Sequence, residues 1–124
     1  MLASSMVVAT IPVTDLDRSK QFYGETLGLK LLWENPVSAR YSCGGGTELS
    51  IFRRGPSLAD HTLAHFEVTD VEGLVRGLEE RGVEFIDYTE GPLQTTGHIA
   101  RIGPARGAWM RDPDGNILGL RQAD

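Results

Sequence analysis

The sequence predicts an α+β fold built from two βαβββ modules inside a single domain, 1–124, with the modules at 6–53 and 61–121. Three observations carry this. Val13-Thr14-Asp15-Leu16-Asp17 recurs as Val68-Thr69-Asp70-Val71-Glu72, an internal repeat of the kind that marks paired supersecondary units. Each copy follows an apolar-rich run and leads through a helical segment to a glycine, Leu27-Gly28-Leu29-Lys30 in the first and Arg81-Gly82-Val83-Glu84 in the second. After each helix come three strand-like runs broken by turn-forming residues.

Taken in order, Met6–Pro12 and Thr62–Glu67 read as the opening strands of the two modules. Thr-Asp-x-Asp/Glu then offers a side-chain oxygen to the free N–H groups of a helix start, with an acid three residues on as in a capping box. In the second helix Val71, Leu74, Val75 and Leu78 form one apolar stripe at helical spacing, and Leu16, Phe22, Tyr23 and Leu27 make a looser one in the first. Gly28 and Gly82 supply the left-handed residue that ends each helix. The strands that follow are Leu29–Trp33, Ala39–Cys43 and Thr47–Arg53, then Val83–Tyr88, Arg106–Arg111 and Asn116–Arg121. Gly44-Gly45-Gly46 and Asp112-Pro113-Asp114-Gly115 have hairpin-turn composition. The stretch Thr96–Gly107 is glycine-rich and takes no definite element. One face of each sheet is expected to carry its own helix, leaving the other face for the second module or a ligand.

Composition narrows the function. Seventeen acidic against twelve basic residues give a net charge of −5, and no basic stripe of the kind that tracks phosphates is present; nucleic acid is not an expected partner. No run approaches the roughly 18 apolar residues of a membrane span, and no Lys or Arg precedes Arg18 to start a signal peptide. Cys43 is the single cysteine, so the chain reads as reduced and cytoplasmic. It stands next to three glycines with no visible activating neighbour, which argues against a nucleophilic role.

The ordered set Val13-Thr14-Asp15-Leu16-Asp17-Arg18-Ser19, Phe22-Tyr23, Leu27-Gly28, Phe66-Glu67-Val68-Thr69-Asp70-Val71, Arg81-Gly82-Val83-Glu84-Phe85 and Arg111-Asp112-Pro113-Asp114-Gly115-Asn116 resembles the vicinal oxygen chelate superfamily. That group contains glyoxalase I, extradiol dioxygenases, and fosfomycin- and bleomycin-resistance proteins. The resemblance implies an incomplete barrel around a concave pocket, and a homodimer. It also implies four metal-ligand positions in the metal-using members, which fall here on Val8, Glu48, Leu63 and Gly119. Val, Leu and Gly side chains cannot bind a metal, so no metal and no cofactor is expected, and the metal-free bleomycin-resistance type is the nearest match.

Strand alternation places Val8, Thr10, Glu48, Ser50, Leu63, His65, Gly119 and Arg121 on the pocket-facing side. The expected ligand-binding residues are Thr10, Trp33, Glu48, Ser50, Leu63, His65, Trp109 and Arg121, the tryptophans as flat surfaces for a planar ligand. His65 and Glu48 are the candidates for acid–base work, expected to interact with each other, with Arg121 or Arg40 as the alternative partner of Glu48. His61 and His65 lie four strand residues apart, roughly 13 Å, too far to chelate one ion. The reading is a small-molecule binding protein for a drug-like or aromatic ligand; a net charge of −5 suits cationic ligands. The alternatives are a metal-dependent lyase, isomerase or dioxygenase with ligands displaced onto His65, Glu48 and His98, and a metal-free general-base enzyme using His65 or Glu48.

Overall fold

The structure, a computed structural model, describes residues 1–57 and 59–124. The chain divides into two compact units, Met1–Ser57 and Leu58–Asp124. No helix is long and apolar enough to cross a membrane among the described residues.

The first unit contains β1 (Val8–Val13), α1 (Leu16–Lys20), a π-helical segment (Gln21–Thr26), β2 (Lys30–Asn35), β3 (Ser38–Ser42) and β4 (Glu48–Arg53). The sheet order is β1-β4-β3-β2, with β1 parallel to β4 and the other pairs antiparallel. Alternation along the strands sends Ile11, Val13, Ala39, Tyr41, Leu49 and Ile51 to one buried face, where the helical segment also buries Tyr23 and Ser19. Gly24 of that segment lies against the Tyr41 ring: a Cβ there would stand 3.5 Å from it. The single helix expected here is thus a short α-helix continued by a π-helix, in keeping with its irregular apolar spacing.

The second unit contains β5 (Thr62–Glu67), α2 (Val71–Glu80), β6 (Glu84–Ile86), β7 (Ala100–Ile102), β8 (Ala105–Arg111) and β9 (Ile117–Gln122). Its order is β5-β9-β8-β6, with β7 paired to β8. Phe85, Ala108, Met110, Leu118 and Leu120 are buried, as are Val71 and Val75 of α2. Leu74, expected in the α2 stripe, is exposed; the buried stripe is narrower than the sequence pattern. The glycine-rich stretch supplies the additional strand β7, while β6 ends at Ile86, earlier than expected, because the next residue, Asp87, turns to bond with Thr95 and His98.

The caps differ in one detail from the expectation. Asp15 and Asp70, each the residue after the threonine, are the N-caps and accept from Arg18 N and Gly73 N at 3.1 Å. Asp17 and Glu72 then fall inside the first helical turn, where acids favour the positive end of the helix dipole, and Glu72 forms an ion pair with Arg106. Gly28 and Gly82 adopt φ of +77° and +87° after the helices, the left-handed geometry expected of them.

Candidate functional site

Register builds the open face of the first sheet, opposite its helical segment. Thr10 pairs with Ser50, Ser50 with Arg40, and Arg40 with Trp33, so one row crosses all four strands. The adjacent row contains Val8, Glu48, Ser42 and Lys30. Thr10, Trp33, Glu48 and Ser50 lie on a common face, and Arg40 joins them. Arg40 donates from Nη1 to Glu48 Oε1 at 2.9 Å, and its guanidinium lies 5.0 Å from the centre of the Trp33 ring, a cation–π distance. Glu48 therefore finds its partner within its own module, and the partner is Arg40, one of the two arginines expected for that role.

The neighbouring Cys43 thiol is pushed up by burial and then by the Glu48 carboxylate, so it stays protonated and unreactive at neutral pH. A groove of about 400 Å³ lies on the other side of the sheet, between Lys20, Gln21, Gly24 and the side chains of Leu31 and Tyr41. It contains none of the expected site residues. Its rim carries Asp17, Lys20 and Glu25, and we regard it as a solvated surface groove rather than a ligand site because apolar enclosure is missing.

The open face of the second sheet departs from strict alternation. A bulge between Thr62 and Ala64 shifts the β5 register against β9, so that His65 stands opposite Gly119 and Glu67 opposite Arg121. Leu63, expected beside His65, sits at the bulge; Thr62 takes its place, with its Cγ2 3.5 Å from where a Gly119 Cβ would be. Trp109 faces Gly119 from β8, and its ring meets the Tyr88 ring in a T-shaped contact with the ring centres 5.1 Å apart.

His65 donates from Nε2 to Glu67 Oε1 at 3.1 Å. Arg121 Nη1 donates to both oxygens of Glu67, at 3.1 and 3.0 Å. The bond from His65, and then Arg121, holds the Glu67 carboxyl below the usual carboxylate range. Glu67 was not among the expected site residues, although it lies two residues from His65 on the same strand face. The signal was present in the alternation rule itself.

His98, whose place the sequence left open, lies between two acids. Nδ1 is 2.9 Å from Asp87 and Nε2 is 3.0 Å from Glu79, and the ring stacks on Phe85 at 5.6 Å. With both nitrogens donating, the ring is an imidazolium; the bond to Asp87 raises its pKa chiefly, burial opposing and Glu79 adding. His98 is thereby held between two carboxylates, and His65 is bonded to Glu67. Among the described residues no group of three or more His, Cys, Asp or Glu side chains is arranged to hold a metal ion. Nor do the family's metal-ligand positions fit one, since Val8, Leu63 and Gly119 carry no donor side chain.

Residues 5–120 match the profile of the Glyoxalase/Bleomycin resistance protein/Dioxygenase superfamily. The chain belongs to that family. It is similar to the antibiotic-binding protein TnmS3 from Streptomyces sp. CB03234, with 29% identity, coverage of 100% of this chain and 99% of that one, and a TM-score of 0.75. It is also similar to a glyoxalase/bleomycin resistance protein from the same organism, with 30% identity, coverage of 95% and 100%, and a TM-score of 0.69. The Bacillus subtilis (strain 168) protein YraH is 28% identical over 121 residues, 86% of this chain and 88% of that protein.

Proposed function

We propose that the protein binds a small organic molecule, drug-like or aromatic, without a metal ion. The observation that carries this is the composition of the two open sheet faces. Each sets a tryptophan beside a cation and carboxylate already neutralised by one another: Trp33 with Arg40 and Glu48, Trp109 with Arg121 and Glu67. Indole faces supply apolar contact, and the paired groups supply hydrogen bonds to orient a ligand. The likeness to an antibiotic-binding protein supports the same reading.

Metal analysis of protein purified without chelator, followed by tryptophan fluorescence titration with planar antibiotics, tests it. We expect no stoichiometric metal, and quenching that is reduced in Trp33→Phe or Trp109→Phe. Stoichiometric Ni, Zn, Mn or Fe overturns the metal-free reading.

The same proposal includes a cytoplasmic homodimer. Edge strand β2 is exposed along its whole length, including Leu31, Leu32 and Trp33, and an uncovered apolar edge strand invites pairing. The one cysteine is a free thiol, which suits a reducing compartment. Light scattering at the mass of a single chain would remove the dimer.

A further inference from the structure

Residues 87–99 leave the edge of β8 at the Ile86–Trp109 pair and rejoin it at the Ala100–Gly107 pair. An excursion whose ends lie so close is an Ω-loop, a form that packs on its own side chains and frequently carries function. Every residue in it is exposed or half-buried, so polar bonds rather than a core hold it down. Segments of that kind open independently of the sheet they lie on.

The bonds converge on the neck of the loop. Asp87 Oδ1 accepts from His98 Nδ1 at 2.9 Å and from the Thr95 hydroxyl at 3.1 Å. Thr95 in turn holds both backbone groups of Tyr88: its Oγ1 accepts from Tyr88 N at 3.0 Å, and its N donates to Tyr88 O at 2.8 Å. His98 also reaches out of the loop, Nε2 donating to Glu79 Oε2 on α2 at 3.0 Å. It sits in a two-residue turn closed by paired backbone bonds between Thr96 and Ile99. There φ is +58° at Gly97 and +70° at His98, a geometry that a non-glycine residue seldom adopts. At the other end of this chain of bonds the Tyr88 ring packs against Trp109. One imidazole thus ties the loop to itself and to α2, and the loop carries a ring that covers part of Trp109.

This latch needs a charge. The charged groups facing His98 are Asp87 at the end of β6 and Glu79 on α2, while β6 also offers it the face of the Phe85 ring. A neutral imidazole has a single N–H, so it holds one of the two carboxylates and turns a lone pair on the other. The bond to Asp87 raises the His98 pKa, with burial opposing and Glu79 adding, so the change falls above the usual 6.5. The proton's contribution to closure is complete below pH 6.5 and is lost as pH rises through the raised value.

We propose that residues 87–99 form a proton-latched strap, closed onto α2 by the His98 imidazolium and released on deprotonation, so that Tyr88 leaves Trp109 while the sheet stays folded. The device works without a ligand and stands independently of the small-molecule reading.

The test uses Trp33→Phe as background, which leaves Trp109 as the single tryptophan. Acrylamide quenching and amide exchange, corrected for intrinsic rates, are followed from about pH 6 to about pH 9, ending below the tyrosine range. The quenching constant of Trp109 should rise about twofold as contact with Tyr88 is lost. Protection of the Thr95 and Thr96 amides should fall about tenfold, the size of one charge-assisted hydrogen bond. Leu118 and Leu120 in β9 should keep their protection. Adding His98→Asn should give the high-pH values throughout, and Glu79→Gln should move the transition to lower pH. Tyr88→Ala should fix quenching at its high value while the Thr95 amide still follows pH. Flat quenching or flat Thr95 protection in the background protein overturns the proposal, as does a pH dependence that survives in His98→Asn. Quenching that still follows pH in Tyr88→Ala overturns it too, because Trp109 would then sense another group. If His98→Asn fails to fold, Glu79→Gln decides, and an unmoved transition there counts against the latch.

Discussion

His65 on β5 stands opposite Gly119 on β9, and a Cβ built on that glycine would lie 3.0 Å from the His65 Cβ. The contact is tighter than ordinary packing. Gly119→Val would therefore drive His65 or Trp109 out of place, and we expect a loss of about 1–3 kcal/mol in urea unfolding, typical of overpacking. Ligand quenching of Trp109 should fall together with it. Unchanged stability and binding would mean that the face has room the geometry does not show.

The His98 clamp makes stability depend on pH in a fixed direction. Its pKa is raised above the usual 6.5 by Asp87 first. The bound proton therefore stabilises the folded state fully below pH 6.5, and this contribution is lost as pH rises through the raised value. Asp87, lowered chiefly by its bond to His98, adds a contribution that is present above its usual 3.8 and disappears as pH falls through the lowered value. We expect Tm to fall from pH 6.5 upward in wild type, with faster amide exchange between residues 88 and 99. His98→Asn is the control, because asparagine tolerates the left-handed φ of +70° found at His98. A Tm slope that persists in the variant would place the titrating group elsewhere.

Removing Arg40 should cost less than a buried ion pair would suggest. Arg40 and Glu48 are each about a quarter exposed, at 24% and 23%, and the Arg40 Nε is buried without a partner, a penalty that the arginine already carries. Arg40→Ala should destabilise by about 1 kcal/mol in urea melts, with part of that regained in Arg40→Ala/Glu48→Gln. The single variant should also change Trp33 fluorescence, since the guanidinium over the ring is lost.

The turn between β8 and β9 should be more sensitive. Asp112 is buried and its carboxylate accepts from Asp114 N at 2.9 Å, Asn116 N at 2.8 Å and Asn116 Nδ2 at 2.9 Å. Asp112→Ala leaves these donors without their acceptor and should cost about 3 kcal/mol. Asp112→Asn, which keeps one oxygen but faces the Asn116 amide with its own, should lie between wild type and Ala in thermal melts. Equal melts for the three proteins would show the turn to be held by its backbone alone.

Much of the molecule is decided locally, and the sequence by itself determined that part. The repeat, the Asp caps and Gly28 and Gly82 define two modules, because capping and left-handed termination depend on residues a few positions apart. Strand alternation likewise placed Thr10, Ser50 and Glu48 on one face, since a period of two persists wherever the ladder is regular. Tertiary structure decided the rest. The bulge at Leu63 breaks that period and brings His65 to Gly119, an outcome set by pairing with a strand more than fifty residues away. The sequence offered Arg40 as one candidate partner of Glu48, but the carboxylates around His98 were beyond sequence reading alone. Side-chain pairing across strands depends on register and reach, and so Asp87 emerged as the partner of His98 only once the second sheet was formed.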